Sequence, residues 1–307
     1  MGAQVGAQVG VQVLDLEIEP GSTADVVAKT VTDSGVAVPT ALLQAWFRVS
    51  GQARQIKAGS YEITPGTTPR TLLSMLVRGD QTLKSITLVE GWNFSQVRAA
   101  LQKAEQMAPE SAGLSPEMIM EKLGMPGVHP EGRFFPDTYT YAKGASDLAV
   151  LKRAARAMDK RMDAAWAMRS PDTPLKSAQE ALTLASIVEK ETGKPADRGQ
   201  IAGVFTNRLR VGMLLQTDPT VIYGLGDKFD GNLRKRDLQT DTPYNTYTRA
   251  GLPPTPIAMP GRAALLAAVQ PAPTQALYFV ARGDGTSQFS ASLDEHNRAV
   301  NKYIRGK

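Results

Sequence analysis

The chain has 307 residues, 42% hydrophobic and 21% charged, a globular balance that excludes wholesale disorder and allows about two domains. Its 35 Lys and Arg against 30 Asp and Glu leave a net charge of +5, interspersed along the chain, which permits an anionic partner without demanding one. With no cysteine and two histidines (His129 and His296), a thiol nucleophile, a disulfide framework and a Cys-ligated metal are excluded, and a histidine-rich metal centre is nearly so.

The chain opens on three copies of a four-residue unit, GAQV, GAQV and GVQV, over 2–13. This stretch lacks the zones of a signal peptide, and 1–13 reads as a non-native or disordered leader. No run approaches the ~20 apolar residues of a membrane span. Residues 14–84 read as a small α+β module. LDLEIEP alternates apolar and acidic residues, as a half-exposed strand does, and Pro20-Gly21 ends it. Ser22 or Thr23 caps a helix carrying Val26, Val27 and Val31, and a second helix follows Pro39 through Leu42, Leu43, Trp46 and Phe47. KAGSYEITPGTT is a short strand closed by a Pro-Gly turn. Pro69 starts a helix through Leu72, Leu73, Leu76 and Val77 that Gly79 stops, and SITLVE returns as a strand.

Residues 85–307 read as a mostly helical domain. Ser95 opens one helix and Ser115-Pro116 another, and HPEGRFFPDTYTY is a turn-rich break. A long amphipathic helix covers about 145–168. The next, from Lys176 to Thr192, stops at Gly193, and another runs from Arg198 to Val211. A short helix opens with Asp218 as N-cap and Pro219 in its first turn. Pro-rich loops fill 241–260, the apolar run 263–269 is a piece of helix, and ALYFVARGDGTSQFSAS predicts a hairpin about Gly283-Asp284-Gly285. A final helix passes through His296. The fold class is α+β.

The helix ending near Gly193 carries the most telling residue. At about 100° per residue, Glu191 falls within about 40° of the centre of an apolar face made by Leu184, Ile187 and Val188. Glu189 falls at the boundary of that face, and Lys190 points to water. A carboxyl on an apolar face must be paired, protonated or functional. Its place in the last turn, at the negative end of the helix dipole, also favours the proton. Those conditions suit a general acid. The competing reading is an ion pair of Glu191 with Arg198 or Lys194, and periodicity does not choose between them. Glu189 and Glu191 diverge by about 160° on a helix, so they do not flank one sugar bond as a glycosidase pair would. Downstream, Asn207, Gln216, Thr217, Asp218, Tyr223, Tyr244, Asn245, Thr246 and Tyr247 offer the hydrogen-bonding groups and ring faces that sugars need, although Asn207 and Arg208 equally suit ties between helix and loop. The basic runs around Lys152-Arg153 and Arg234-Lys235-Arg236 read as solvated faces, with no nucleic-acid module beside them.

ASIVEKET, IAGVFTNRLRVGMLLQTDPTVIYGLG and TPYNTYTRAGLPPTPIAMPG, with EGRFFPDTYTY upstream and FSASLDEHN near the end, strongly resemble the YceG-like family of endolytic murein transglycosylases. The resemblance covers about residues 14–303. It implies a LysM-like module at 14–84 ahead of a lysozyme-like catalytic domain at 85–307, with the second Glu of the EKE triplet, Glu191, as catalytic acid. It implies cleavage of the bond between N-acetylmuramic acid and N-acetylglucosamine in nascent peptidoglycan without water, leaving 1,6-anhydro ends and ending strand elongation. Glu189, Asn207, Gln216, Thr217, Asp218, Tyr223, Tyr244, Asn245 and Tyr247 are the substrate-binding candidates. No cofactor and no metal are expected. The partners to expect are glycan strands and cell-wall synthases, not nucleic acid. The family begins with a helix anchoring it to the periplasmic face of the inner membrane. GAQV repeats stand in that place here, so a truncated or misplaced start is expected. The rival reading is a non-catalytic peptidoglycan-binding scaffold that recruits synthases.

Overall fold

The computed structural model describes residues 14–64, 66–191 and 194–306. The GAQV leader and the helix stop at Gly193 lie outside the described residues. Helices and two-stranded ribbons make the fold α+β. Among the described residues, no helix is long and apolar enough to cross a membrane. The chain divides into two compact units. One takes the described residues through Ser85 together with Glu105–Ala108 and Thr140–Ala145; the other takes Ile86–Ala104, Pro109–Tyr139 and the described residues from Ser146 onward.

The first unit runs through β1 (Leu14–Ile18), α1 (Ala24–Asp33), α2 (Thr40–Val49), β2 (Gly59–Ile63) and α3 (Pro69–Arg78). β1 pairs antiparallel with β2, Leu16 opposite Tyr61, and the period-two pattern buries Leu16 and Ile18. Thr23, rather than Ser22, caps α1. α3 has Thr68 as its cap and Pro69 in its first turn, and Gly79 closes it at φ 77°, a left-handed conformation that suits glycine. The core joins Leu16, Val27, Val31, Leu43, Phe47, Tyr61, Leu72 and Leu76. Val26, Leu42 and Trp46, which the apolar patterns include, face outward instead.

β3 (Leu83–Thr87) pairs with β4 (Thr138–Ala142), and the division between the units falls inside this ribbon. β4 corrects the turn-rich reading of its segment. α4 (Phe94–Gln102) opens on Asn93, not Ser95, because Asn93 and Gln96 exchange capping bonds of 2.9 Å. Then come α5 (Pro116–Lys122), α6 (Asp147–Ala167), α7 (Ala178–Glu191), α8 (Pro195–Arg210), α9 (Asp218–Leu225), α10 (Lys235–Gln239) and α11 (Arg262–Val269). The hairpin of β5 (Tyr278–Ala281) with β6 (Ser287–Ser290) and α12 (Leu293–Tyr303) follow. α8 starts a turn earlier than read, since Pro195 fits the first helical turn. Thr217, not Asp218, holds the N-cap position of α9.

α7 is the axis of the second unit. It packs against α6, α8, α9 and α11. Eight consecutive residues, Ala181 to Val188, are buried, so the one-faced amphipathic helix of the sequence reading is overturned. The far side of the helix is dry because Thr183 and Ser186 return their hydroxyls to the carbonyls of Gln179 (3.0 Å) and Thr183 (2.7 Å). α7 packs against the alanine-rich α11, and Ala181, Ala185, Ala264 and Ala268 are buried in one shared core.

Candidate active site

The packing of α7 brings Glu191 to its last position. There Glu191 Oε2 accepts a hydrogen bond from Thr217 Oγ1 at 2.8 Å. Thr217 is held in turn: its N–H donates to Thr246 Oγ1 at 3.1 Å, and Thr220 and Thr246 share a hydroxyl contact of 2.8 Å. The preceding residue, Gln216, sits at φ 48°, a costly conformation for a residue with a side chain, and donates its N–H to Thr246 O. That turn places Thr217 under the carboxyl.

Burial pushes the Glu191 carboxyl up from its ordinary range; the Thr217 bond opposes this, Asp218 adds to it, and Arg208 opposes it. Arg208 is itself buried. Its Nε donates to Leu277 O at 2.6 Å and its Nη1 to Leu215 O at 2.8 Å, while the guanidinium lies 5.4 Å from the centre of the Tyr278 ring. Of the ion-pair partners considered for Glu191, Lys194 donates to Asp284 O and the charge of Arg198 acts on Glu189, while the cation acting on Glu191 is Arg208. Asp218 accepts from Tyr247 Oη at 2.5 Å, and burial followed by that bond pushes the phenol up.

Glu189 leaves the helix on another side, as the wheel requires. Its Oε2 accepts from the N–H of Gly261, the N-cap of α11, at 3.0 Å. Burial raises its carboxyl, the Gly261 bond opposes this, and nearby Glu90 raises it further. This carboxyl is committed to a helix N-terminus.

The N-cap of α9 bonds Glu191, and Pro219, Ile222 and Tyr223 of that helix line a cleft of about 750 Å³. Its walls carry Tyr223 and Tyr244, whose rings meet edge to face with centroids 4.9 Å apart. Tyr244 Oη contacts Thr255 Oγ1 at 2.8 Å. Lys190 lies at the rim, donating to Gly91 O at 3.2 Å. Glu131 also lines this cleft, and sequence reasoning passed over it. It is 3% exposed, and burial raises it to about 7. The only local signal was an acid beside glycine in EGRFF.

Asn207 and Asn245 stand apart. Asn207 Nδ2 donates to Thr274 O and Ala276 O and borders a separate cavity of about 310 Å³. Asn245 spends its amide on the carbonyls of Asp237, Leu238 and Thr240 and accepts from Tyr247 N–H, which organises its own loop. Thus Glu191, Thr217, Asp218 and Tyr247 form one cluster, with exposed Gln216 at its edge, and Tyr223 and Tyr244 face the cleft.

The profile of the YceG-like family matches residues 16–302. The chain is similar to the endolytic murein transglycosylase of Bacillus subtilis, 32% identical over 311 residues that cover 96% of this chain and 86% of that protein. It is similar at 26% identity to the endolytic murein transglycosylase of Streptococcus pneumoniae, matching 94% of this chain but spanning only 58% of that relative's length. A crystal structure of a YceG-like protein from Listeria monocytogenes superposes with a TM-score of 0.57 at 27% identity, covering 93% of this chain and 98% of that one.

Proposed function

The chain belongs to the YceG-like family, and we propose that it is a murein transglycosylase working with a single acid, Glu191. The observation that carries this reading is a carboxyl raised by burial and held by one neutral donor, Thr217, at the end of a rigid core helix. A carboxyl biased toward its protonated form is what a general acid needs.

Glu191 protonates the glycosidic oxygen between N-acetylmuramic acid and N-acetylglucosamine as the bond from the anomeric carbon to that oxygen breaks. The glucosamine unit leaves as an alcohol. The muramic 6-hydroxyl oxygen then bonds to its own anomeric carbon, and its proton passes to the Glu191 carboxylate. The acid is restored, no water is consumed, and a 1,6-anhydro end remains. No second carboxylate is required, which agrees with Glu189 being committed to Gly261. Tyr223, Tyr244 and Tyr247 supply ring faces for the glycan, with Thr217 orienting the acid and Asp218 holding Tyr247 while its charge favours the acid's proton.

The strand–helix–helix–strand order of β1, α1, α2 and β2 supports a LysM-like role for 14–84, ahead of a lysozyme-like catalytic domain. Cleavage of nascent strands at the periplasmic face of the inner membrane, beside cell-wall synthases, completes the proposal. The test is digestion of uncrosslinked glycan strands followed by mass spectrometry. Muramic ends lighter by one water than hydrolysed ends, absent with Glu191→Gln, are expected. Reducing muramic acid as the main product overturns it.

A further inference from the structure

Glu131 is a buried carboxyl to which the mechanism above gives no task. Its two oxygens accept from the N–H of Phe94, the first residue of α4, at 3.1 and 3.2 Å. Oε2 also accepts from Tyr223 Oη at 3.1 Å. Capping alone does not explain it, because Asn93 and Gln96 already cap α4. A neutral amide would satisfy the same donors without the cost of burying an ionisable group. The backbone around it is built for close approach: Gly132 adopts φ 77°, and a Cβ there would fall within 2.6 Å of Pro256. Pro256 follows Thr255, the partner of Tyr244. Glu131 therefore anchors the Tyr223 hydroxyl and Thr255 the Tyr244 hydroxyl, with Thr255 acting on Tyr223 as well.

We propose that Glu131 is a positioning residue for saccharide binding, holding Tyr223 against Tyr244 so that the cleft presents a fixed aromatic wall to a sugar ring. The proposal rests on the transglycosylase reading and adds a residue to it. An ionised Glu131 accepts from both Phe94 and Tyr223. A protonated one turns one lone pair into a donor and has less to offer the phenol. The titratable and charged groups facing it are Tyr223 and Tyr244, with Lys190 and Asp227 on the cleft walls and His129 two residues before it, whose Nδ1 accepts from Glu131 N–H. Because Glu131 titrates at about 7, the grip on Tyr223 strengthens as pH rises through neutrality.

The test is steady-state kinetics on uncrosslinked glycan strands, with direct binding of the same strands measured in a Glu191→Gln background. Glu131→Gln is expected to raise KM several-fold with a much smaller effect on kcat. The fall in wild-type KM between about pH 6 and about pH 8 should flatten in that variant. Tyr223→Phe, which removes only the donated hydroxyl, serves as second variant and should raise KM in the same direction. Unchanged KM in Tyr223→Phe together with an unchanged KM–pH profile in Glu131→Gln overturns the proposal. If Glu191→Gln stays active, the acid assignment fails, while the binding arm still scores Glu131 separately.

Discussion

At the scale of single residues, the proposed activity turns on two carboxyls taken out of water, half-buried Glu191 as the acid and buried Glu131 as a positioning group. Glu191→Gln keeps shape and hydrogen-bonding capacity but removes the transferable proton, so turnover should fall at least ~100-fold. Its melting temperature should hold or rise above neutral pH, because the native carboxyl is raised by burial. A melting temperature that drops with activity would instead indicate a structural role. Glu131 permits a stability prediction with a definite sign. Its carboxyl moves from 4.5 to about 7 on folding, so the folded chain binds the proton more tightly than the unfolded chain. Stability is full below the ordinary value and is lost as pH rises through the folded one, by about 3 kcal/mol. Chemical denaturation of wild type and Glu131→Gln across that window should show the wild type alone losing this increment, and parallel curves would refute it. The apolar setting of Glu191 was legible because its neighbours Ile187 and Val188, both buried, carry periodicity. Glu131 was not, because what buries it is Tyr223, distant in sequence, and the N-terminus of α4.

At the scale of elements, the turn before α9 and the turn after Glu131 are the sensitive joints. Thr217→Val removes the one bond that draws the Glu191 carboxyl downward. The basic limb of the kcat–pH profile should therefore move to higher pH, and an unmoved limb would show that Thr217 does not reach the acid in solution. Gly132→Ala meets both a left-handed backbone and Pro256, so a loss of more than about 1 kcal/mol in thermal or urea unfolding is expected. Helix starts were readable where one polar residue precedes a proline, as at Ser115, and stayed open between Ser22 and Thr23 at α1. They failed where two candidates adjoin: Ser95 lies inside α4, and Asp218 inside α9. β4 was hidden because TYTYA forms a strand only by pairing with β3, so its conformation is set by tertiary context.

At the scale of the whole molecule, the first unit recruits Thr140–Ala145 from far along the chain. Lys143 pairs with Asp15 there, and Ser60 Oγ donates to Lys143 O at 3.1 Å. A fragment of 14–85 lacks these partners and has a small core, so its melt by circular dichroism should be broader and lower than that of a version fused to 140–145. Identical melts would show that the recruited strand adds nothing. The burial of α7 on every side has a consequence for descent. A helix with one wet face accumulates neutral substitutions there; positions 181–188 offer none, and a change at Ser186 must also answer to Ile257, whose N–H bonds its hydroxyl. The mount of Glu191 should therefore tolerate little substitution in any chain that keeps this packing.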